Sequence, residues 1–589
     1  MRWMVDGSGL NNDSKKGVLT YTQLRRTTYM VDRTHYCLYD TDVVDIPGHV
    51  PEQERRRSAG PIDTEGAYSR PSDTKGAYSG PSDRDGAVWF ASRSARWRKA
   101  QLRFTVKAVQ SRPIRPNSVS VPTSASRPKS RDGVRLFVGL PLDTVSDCNA
   151  VNHARAIAAG LKALKLLGVE GVELPIWWGV AEKEAMGKYE WSGYLAVADM
   201  VQKAGLKLHV SLCFHASKRP NIPLPKWVSQ IGESEPSIFY TDLTGQQYKD
   251  CLSLAVDDIT VLNGKTPVQV YREFCESFRS SFMPFMGSTI TGISMGLGPD
   301  GELRYPSHHR QAKTSKIPGA GEFQCYDKNM LRLLKQHAEA SGNPLWGLGG
   351  PHDASRYDES PNSSGFFKDH GGSWESPYAN FFLSWYSNQL ISHGNRLLSL
   401  ASSTFGDSGA TVYGKVPLMH SWYNTRSHPS ELTAGFYNTT NRDGYDAVAE
   451  MFVKNSCKMI LPGMDLSDEH QPHESLSSPE SLLAQIRKAC KKHGVYVSGE
   501  NSSESGAPGG FEQIKKKLFG DDAVDDLFTY QRMGAYFFSP EHFPSFTQLV
   551  RNLIQPRLHL DDLPEEEEVT AASVVHNNSD TSVRVESAV

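Results

Sequence analysis

One glutamate, Glu302, stands among glycines directly after an apolar, strand-like segment. It lies in the run Gly-Leu-Gly-Pro-Asp-Gly-Glu-Leu-Arg-Tyr-Pro-Ser at 296–307, which follows the segment at 289–295. Glycines let a backbone approach a ligand closely. A carboxyl group held at a strand end beside Arg304 and Tyr305 suits general acid chemistry on a sugar. The alternative is a surface turn in which Glu302 only pairs with Arg304.

The sequence around Glu302 alternates between short apolar runs and helix-like stretches. Apolar residues recur at helical spacing over 152–167. Strands are expected at 135–142, 169–174, 206–212, 415–419, 458–461 and 495–498. This repeated order of strand and helix predicts parallel strands joined by crossover helices.

Polar and aromatic residues follow five of the expected strands. They are Trp177 with Trp178, Phe214 with His215, Glu302, His420 and Glu500. Because α/β barrels carry their sites at the carboxyl ends of their strands, this placement favours a barrel. A doubly wound open sheet is the alternative, but no Gly-x-Gly-x-x-Gly run follows the first strand.

Composition narrows the classes of partner and cofactor. The 589 residues carry a formal net charge of −2, which gives no reason to expect nucleic acid or an anionic membrane as a partner. The apolar runs are far shorter than the roughly 18 residues that cross a bilayer. The eight cysteines are scattered without a Cys-x-x-Cys pair. We therefore expect buried free thiols, no metal site and no cofactor.

The two ends of the chain differ from its centre. Residues 1–130 contain a short Gly/Pro/Ser repeat and predict a disordered extension. Residues 91–131 lack acidic side chains and resemble a transit peptide, which predicts a chloroplast protein; the alternative is a basic linker on a cytoplasmic protein. The folded region is predicted at 134–546, with an acidic and polar disordered tail at 556–589.

From about residue 135 to residue 538 the chain resembles plant beta-amylases, glycoside hydrolase family 14, and most resembles their plastid non-catalytic branch. The resemblance rests on separate runs at 176–180, 214–215, 221–228, 296–307, 321–328, 364–367, 385–388, 431–435 and 441–445. It implies a (β/α)8 barrel with long loops that removes maltose from the non-reducing ends of α-1,4-glucans with inversion.

The same resemblance assigns roles to particular side chains. Inversion needs one carboxylic acid to protonate the leaving oxygen and a second carboxylate to activate water on the opposite face. By resemblance Glu302 is the acid, and Glu500, in the run Gly-Glu-Asn-Ser at 499–502, is the base. The positions matched to sugar binding are His215, Lys415, His420, Asn501, Ser502 and Arg532.

Four departures from active members fall at this site. Pro175 stands where active members have an aspartate, and Pro462 replaces a threonine of an inner loop. The glycine-rich lid after the Phe-His pair is replaced by the shorter run Ala-Ser-Lys-Arg-Pro at 216–220. One tryptophan of the family's His-Trp-Trp-Tyr run is lost in His-Ser-Trp-Tyr at 420–423. Each missing hydrogen bond costs about 1–3 kcal/mol, and a lid excludes water.

These departures predict a beta-amylase-like protein of starch breakdown that is catalytically weak or inactive and has a regulatory or scaffolding role. Two alternatives stay open, an active enzyme that releases maltose and a partner-binding protein with a vestigial pocket. The expected partners are an α-1,4-glucan or maltooligosaccharide and an active amylase. The basic segment at 91–131 is short and rich in proline and serine, so nucleic acid is not expected.

Overall fold

The computed structural model describes residues 134–309, 317–502, 509–519 and 526–554. The predicted extension at 1–130, the transit-peptide-like segment at 91–131 and the tail at 556–589 lie outside these residues. The limits 134–546 for the folded region stay a prediction.

The strands form a closed parallel barrel and one small hairpin. Within the described ranges they are β1 (Arg135–Gly139), β2 (Gly171–Trp177), β3 (Lys207–Cys213), β4 (Phe239–Thr241), β5 (Gln247–Leu252), β6 (Ile290–Met295), β7 (Thr411–Lys415), β8 (Lys458–Leu461), β9 (Val497–Glu500) and β10 (Leu527–Tyr530). The order around the barrel is β1-β10-β9-β8-β7-β6-β3-β2, and β4 pairs with β5. Eight parallel strands in this order confirm the predicted (β/α)8 barrel.

Helices connect the strands. In the described part they are α1 (Ala154–Leu167), α2 (Trp178–Ala181), α3 (Ser192–Lys203), α4 (Lys226–Ser234), α5 (Pro267–Ser281), α6 (Lys328–Ala340), α7 (Pro377–Phe405), α8 (Pro429–Ala434), α9 (Asp446–Lys454), α10 (Pro479–His493), α11 (Gly510–Phe519) and α12 (Phe543–Ile554). Their ends follow local sequence. At α5, Thr266 and Gln269 exchange hydrogen bonds in a capping box. At α10, Ser478 caps the start and Gly494 ends the helix.

One predicted strand is misplaced. β7 ends at Lys415, so the strand expected at 415–419 is wrong. Pro417 lacks the N–H that a central strand needs for its ladder, whereas Thr411 and Val412, upstream, have the β-branched side chains that strands favour. The strand expected at 495–498 lies two residues later, at 497–500.

The amino-terminal end of the barrel holds an apolar cluster and a group of paired charges. A small apolar cluster inside it consists of Phe137, Tyr413, Ile460 and Leu527. Beside that cluster, Asp526 accepts hydrogen bonds from Arg135 Nη2 at 2.8 Å and from the Tyr413 hydroxyl at 2.6 Å. Lys458 Nζ lies 3.1 Å from the same carboxylate. Because this end is closed by side chains, the opposite end of the barrel is the place for a ligand.

Two sequence expectations concern cysteines and membrane spans. Six described cysteines are buried, but Cys148 is exposed, so the prediction of buried thiols is wrong for that residue. Among the residues with a defined position, no helix is long and apolar enough to cross a membrane.

Candidate functional site

The loop after β6 holds Glu302 at the carboxyl end of the barrel. Gly298 has φ 152°, and a Cβ there would lie 2.8 Å from the Glu302 carbonyl oxygen, so the turn requires glycine. Glu302 forms a single parallel bridge with Lys415, and the Leu303 N–H donates to the Lys415 carbonyl at 2.9 Å. The turn therefore fixes the backbone of the predicted acid against the end of β7.

Glu302 is only 5% exposed. Arg304 Nε donates to its Oε2 at 2.8 Å, and Arg304 also pairs with Asp300. Burial raises the pKa of Glu302 above its usual value, although the charge of Arg304 acts in the opposite direction. A carboxyl group with a raised pKa retains its proton closer to neutral pH, so Glu302 keeps the property that a general acid needs.

Lys415 connects the two predicted catalytic carboxylates. Its Nζ lies 2.6 Å from Oε2 of Glu500, the last residue of β9. Burial acts to lower the pKa of Lys415, but the three carboxylates of Glu500, Glu173 and Glu302 outweigh it and raise the pKa. Lys415 is therefore protonated at neutral pH. Barrel closure thus brings the predicted acid and base to the same lysine.

The two predicted histidine ligands also lie at this end of the barrel. His215 follows β3, and its Nδ1–H donates to the Ala216 carbonyl at 3.0 Å. His420 follows β7, and its Nδ1 lies 2.6 Å from Ser477 Oγ. Burial lowers the pKa of His215, and it lowers the pKa of His420 to about 4. Both rings are neutral at neutral pH, as hydrogen-bonding partners of a neutral sugar should be.

Asn501 and Ser502 form hydrogen bonds to other residues of the protein. Asn501 Nδ2 donates to the Gln531 carbonyl at 2.7 Å, and Asn501 Oδ1 accepts from the Gln531 N–H at 2.6 Å. The N–H and the hydroxyl of Ser502 both donate to the Asp465 carboxylate, each at 2.6 Å. These two predicted sugar ligands therefore connect the end of β9 to neighbouring loops.

The two altered positions are buried, one in β2 and one directly after β8. Pro175 is buried in β2, opposite Ser211 of β3. Pro462 is buried directly after β8, and two residues later the Met464 N–H donates to the Glu500 carbonyl at 2.9 Å. A proline side chain carries no hydrogen-bonding atom, so neither position offers a polar side chain to a sugar.

The segment after His215 is a short closed turn. Ser217 and Ile222 exchange two backbone hydrogen bonds of 2.8 Å each. The turn is also attached to β5, because the Ala216 N–H donates to the Asp250 carbonyl at 2.6 Å and Lys218 Nζ lies 3.3 Å from the Asp250 carboxylate. These bonds leave the turn, which the resemblance matches to the glycine-rich lid of active members, little freedom to close over a ligand.

The remaining tryptophan of the run at 420–423 packs into the protein. Trp422 is 6% exposed, and its Nε1 donates to the Pro318 carbonyl at 2.8 Å. A sugar stacks on an exposed aromatic face. Trp422 therefore packs within the protein and presents no exposed face to a sugar, and the smaller stacking surface stays a prediction.

Glu173 belongs to the same end of the barrel and was missed by sequence reasoning. It lies in the middle of β2 and is 6% exposed. Gln531 Nε2 donates to its Oε2 at 3.2 Å, and Arg532 Nη1 lies 3.9 Å from the same oxygen while donating to the Leu140 carbonyl at 2.7 Å. The only signal in the sequence is one charge inside an otherwise apolar strand, Gly-Val-Glu-Leu-Pro-Ile-Trp at 171–177.

Most of the folded part of the chain is similar to known proteins. The pattern of Glycosyl hydrolase family 14 matches residues 137–557. The chain is 63% identical over 484 residues to Inactive beta-amylase 9 of Arabidopsis thaliana, covering 82% of this chain and 89% of that protein. It is 42% identical over 440 residues to Beta-amylase 1, chloroplastic, of Oryza sativa subsp. japonica, covering 73% and 82%. The solved catalytic domain of the beta-amylase from Paenibacillus polymyxa has a TM-score of 0.60 at 25% identity, covering 72% of this chain and 99% of that domain.

Proposed function

The chain belongs to glycosyl hydrolase family 14, and on that premise we propose that it is a beta-amylase-like protein of starch breakdown with weak or no hydrolytic activity. Its proposed role is regulation or scaffolding, through an α-1,4-glucan, an active amylase or both. We also propose a plastid location, in line with the name of the rice relative and with the transit-peptide-like composition of 91–131. A cytoplasmic location is the alternative.

The observation that carries this proposal is that two predicted sugar ligands are already held by hydrogen bonds to other residues of the protein. Two hydrogen bonds to the Gln531 backbone, one donated and one accepted, fix the Asn501 amide toward the loop after β10. Ser502 is held twice by Asp465 in the same way. Only contacts that strengthen in the transition state speed a reaction, and side chains held by the protein in this way have little freedom to adjust to a transition state.

The turn at 217–222 supports the same conclusion. An inverting hydrolase admits one water molecule to the base and excludes the rest of the solvent. A segment that closes over the substrate achieves this in many enzymes. Here both ends of the turn are tied by backbone hydrogen bonds, and its lysine pairs with Asp250. A turn held in this way supports binding at an open pocket better than water-limited catalysis.

One observation favours a second candidate, a slow inverting hydrolase. Glu302 is buried with a raised pKa, as a general acid requires, and Glu500 Oε2 lies 2.6 Å from the Lys415 amine. Both predicted catalytic carboxyl groups are therefore kept at this end of the barrel, and the altered positions concern the binding of the sugar. Slow turnover that depends on Glu302 would fit this candidate.

A paired assay tests the proposal. The full chain and an active beta-amylase are compared on soluble starch and on a chromogenic maltooligosaccharide. We expect no turnover, or turnover far below that of the active enzyme. A rate within about tenfold of the active enzyme would overturn the proposal. Glu302→Gln is the matched control, because turnover that persists in this variant comes from a contaminating enzyme.

Binding is measured separately from turnover. Titration calorimetry with maltotetraose and maltoheptaose should give heat, and the same sugars should raise the melting temperature of the full chain. Absence of both effects would remove the glucan from the proposed role and favour a vestigial pocket. Co-purification with an active amylase would then test the scaffolding role by itself.

A further inference from the structure

We infer that Glu173 is a positioning residue that supplies, from deeper in the barrel, the negative charge that Pro175 cannot supply. In this position it restrains the two cations of the pocket, Lys415 and Arg532. The inference rests on the proposed function in one respect, because it explains how a glucan pocket of this family stays folded and charge-balanced without the carboxylate of active members.

The strand geometry makes the side chains of Glu173 and Pro175 point to the same face of β2. Residues two apart on a strand point to the same face. Glu173 and Pro175 are two apart on β2, and they lie opposite His209 and Ser211 of β3. With a rise of about 3.3 Å per residue, Glu173 lies about 6–7 Å closer to the amino-terminal end of the barrel than Pro175 does. A carboxylate at 175 would therefore point the same way from nearer the mouth.

The partners of Glu173 show that it is present as an ion. Burial alone would raise its pKa, but Arg532 and Lys415, with a hydrogen bond from Ser211 and the nearby His209, outweigh burial and lower the pKa. Gln531 Nε2 adds a hydrogen bond at 3.2 Å. A buried ionised carboxylate is tolerated only with such partners. The cations in turn depend on it, because Glu173 is one of three carboxylates that raise the pKa of Lys415.

The backbone leaves space for this arrangement. Gly139, the last residue of β1, lies directly opposite Glu173 on β2. A Cβ at Gly139 would collide with Gln531 Oε1 and would lie 3.1 Å from Glu173 Oε2. The glycine therefore makes room for the carboxylate and the amide together. The polar cluster of Glu173, Gln531, Arg532 and Lys415 is built into the barrel and is not an accident of one side chain.

The charges around Lys415 determine what the loss of Glu173 does. Lys415 faces Glu500 on β9, Glu302 after β6 and Glu173 on β2, while Arg532 after β10 faces Glu173. Neutralising Glu173 removes one of three anions from around the lysine. The amine of Lys415 then loses its proton at a lower pH, and Arg532 keeps the Leu140 carbonyl but loses its carboxylate.

The first test measures the reactivity of Lys415 in the full chain. About a quarter of its side chain is exposed (25%), so a small amine-directed reagent can reach it. Labelling of Lys415 between pH 8 and pH 10.5 is quantified by mass spectrometry, with Lys492, which is 63% exposed, as the internal reference. We expect Glu173→Gln to speed the labelling of Lys415 about tenfold, since one pKa unit changes the free amine tenfold.

Two variants control this measurement. Glu170→Gln removes a glutamate just before β2 that pairs with Arg135 at 3.7 Å, and it should leave the labelling of Lys415 unchanged. Glu173→Asp keeps the charge and should stay near the wild-type rate. Labelling of Lys415 within about twofold of wild type in Glu173→Gln would overturn the inference, because one pKa unit predicts far more. If Glu173→Gln does not fold, Glu173→Leu replaces it, with the same expected and overturning results.

The second test restores the missing carboxylate. Pro175→Asp alone adds an anion above Glu173, so its melting temperature should fall. In the double variant Glu173→Gln with Pro175→Asp, one anion replaces the other, and the aspartate should lower the melting temperature less than it does alone. If Pro175→Asp lowers the melting temperature equally with and without Glu173→Gln, the inference that Glu173 supplies the charge missing at position 175 is overturned. Neither test reads turnover, so rapid starch hydrolysis would overturn only the proposed function.

Discussion

Replacing Lys415 by methionine removes the cation that lies among three carboxylates. Methionine preserves much of the side-chain volume, so the change is mainly one of charge. Removing one partner of a buried ion pair costs about 3–5 kcal/mol, because the other charge is left without compensation. Glu500 is buried, but Lys415 is 25% exposed. Water therefore reaches part of the pair, and we expect a loss of about 3 kcal/mol of unfolding free energy at pH 8.

A second lysine of the barrel gives the control. Lys458 is 26% exposed, nearly the same as Lys415, and lies 3.1 Å from Asp526. Asp526 keeps Arg135 and the Tyr413 hydroxyl when Lys458 is replaced. Lys458→Met should therefore cost only about 1 kcal/mol. The difference between the two variants isolates the dependence of the pocket on Lys415.

The destabilisation caused by Lys415→Met should depend on pH in one direction. Burial already raises the pKa of Glu302, and Lys415 is one of the cations that oppose this rise, so the pKa of Glu302 rises further without Lys415. A carboxyl group with a raised folded pKa loses stability as pH rises through that value. The cost of Lys415→Met should therefore be smaller at pH 5 than at pH 8, as measured by urea unfolding at both values. A cost equal to that of Lys458→Met, or one independent of pH, would refute this account of the pocket.

Three further predictions concern other buried groups. Burial raises the pKa of Glu182 to about 7, so the folded protein holds this proton more tightly than the unfolded chain does and loses stability as pH rises from 5 to 8. Glu182→Gln should therefore reduce the fall in melting temperature between pH 5 and pH 8, and an unchanged fall would contradict this prediction. Gly179→Ala should cost about 3 kcal/mol in urea unfolding, because its Cβ would collide with the Pro223 carbonyl, whereas Gly349→Ala, which meets open space, should be neutral. Asn501→Ala should cost about 2 kcal/mol through two lost backbone hydrogen bonds, and a loss below about 0.5 kcal/mol would argue against this anchoring role.

The sequence specifies the barrel well because its signals are local. Alternating strands and helices predict parallel order, and polar residues after the strands predict the end that carries the site. Glu302 is found in this way. The error at 415–419 is also local: its apolar residues Val416, Leu418 and Met419 look like a strand, but Pro417 interrupts the ladder and the strand ends at Lys415.

Contacts across the closed barrel could not be predicted in the same way. Glu173 and Gln531 are 358 residues apart in the chain, and only closure of β1 onto β10 brings them together. Asn501 has the sequence setting of a sugar ligand, yet its amide is bound to Gln531. Neither spacing nor residue type distinguishes a side chain aimed at a ligand from one that holds a neighbouring loop. Which of the two roles a side chain has depends on which residues lie next to it after folding.

The closed turn at 217–222 has a further consequence for the time that a ligand stays bound. Its ends are joined by backbone hydrogen bonds, so this turn does not have to open before a ligand leaves. Release past this turn therefore depends on the strength of the contacts. Under the proposed function, a glucan chain end would exchange quickly, and occupancy would follow the concentration of free chain ends. A protein of this kind senses how many chain ends are present and leaves them unchanged.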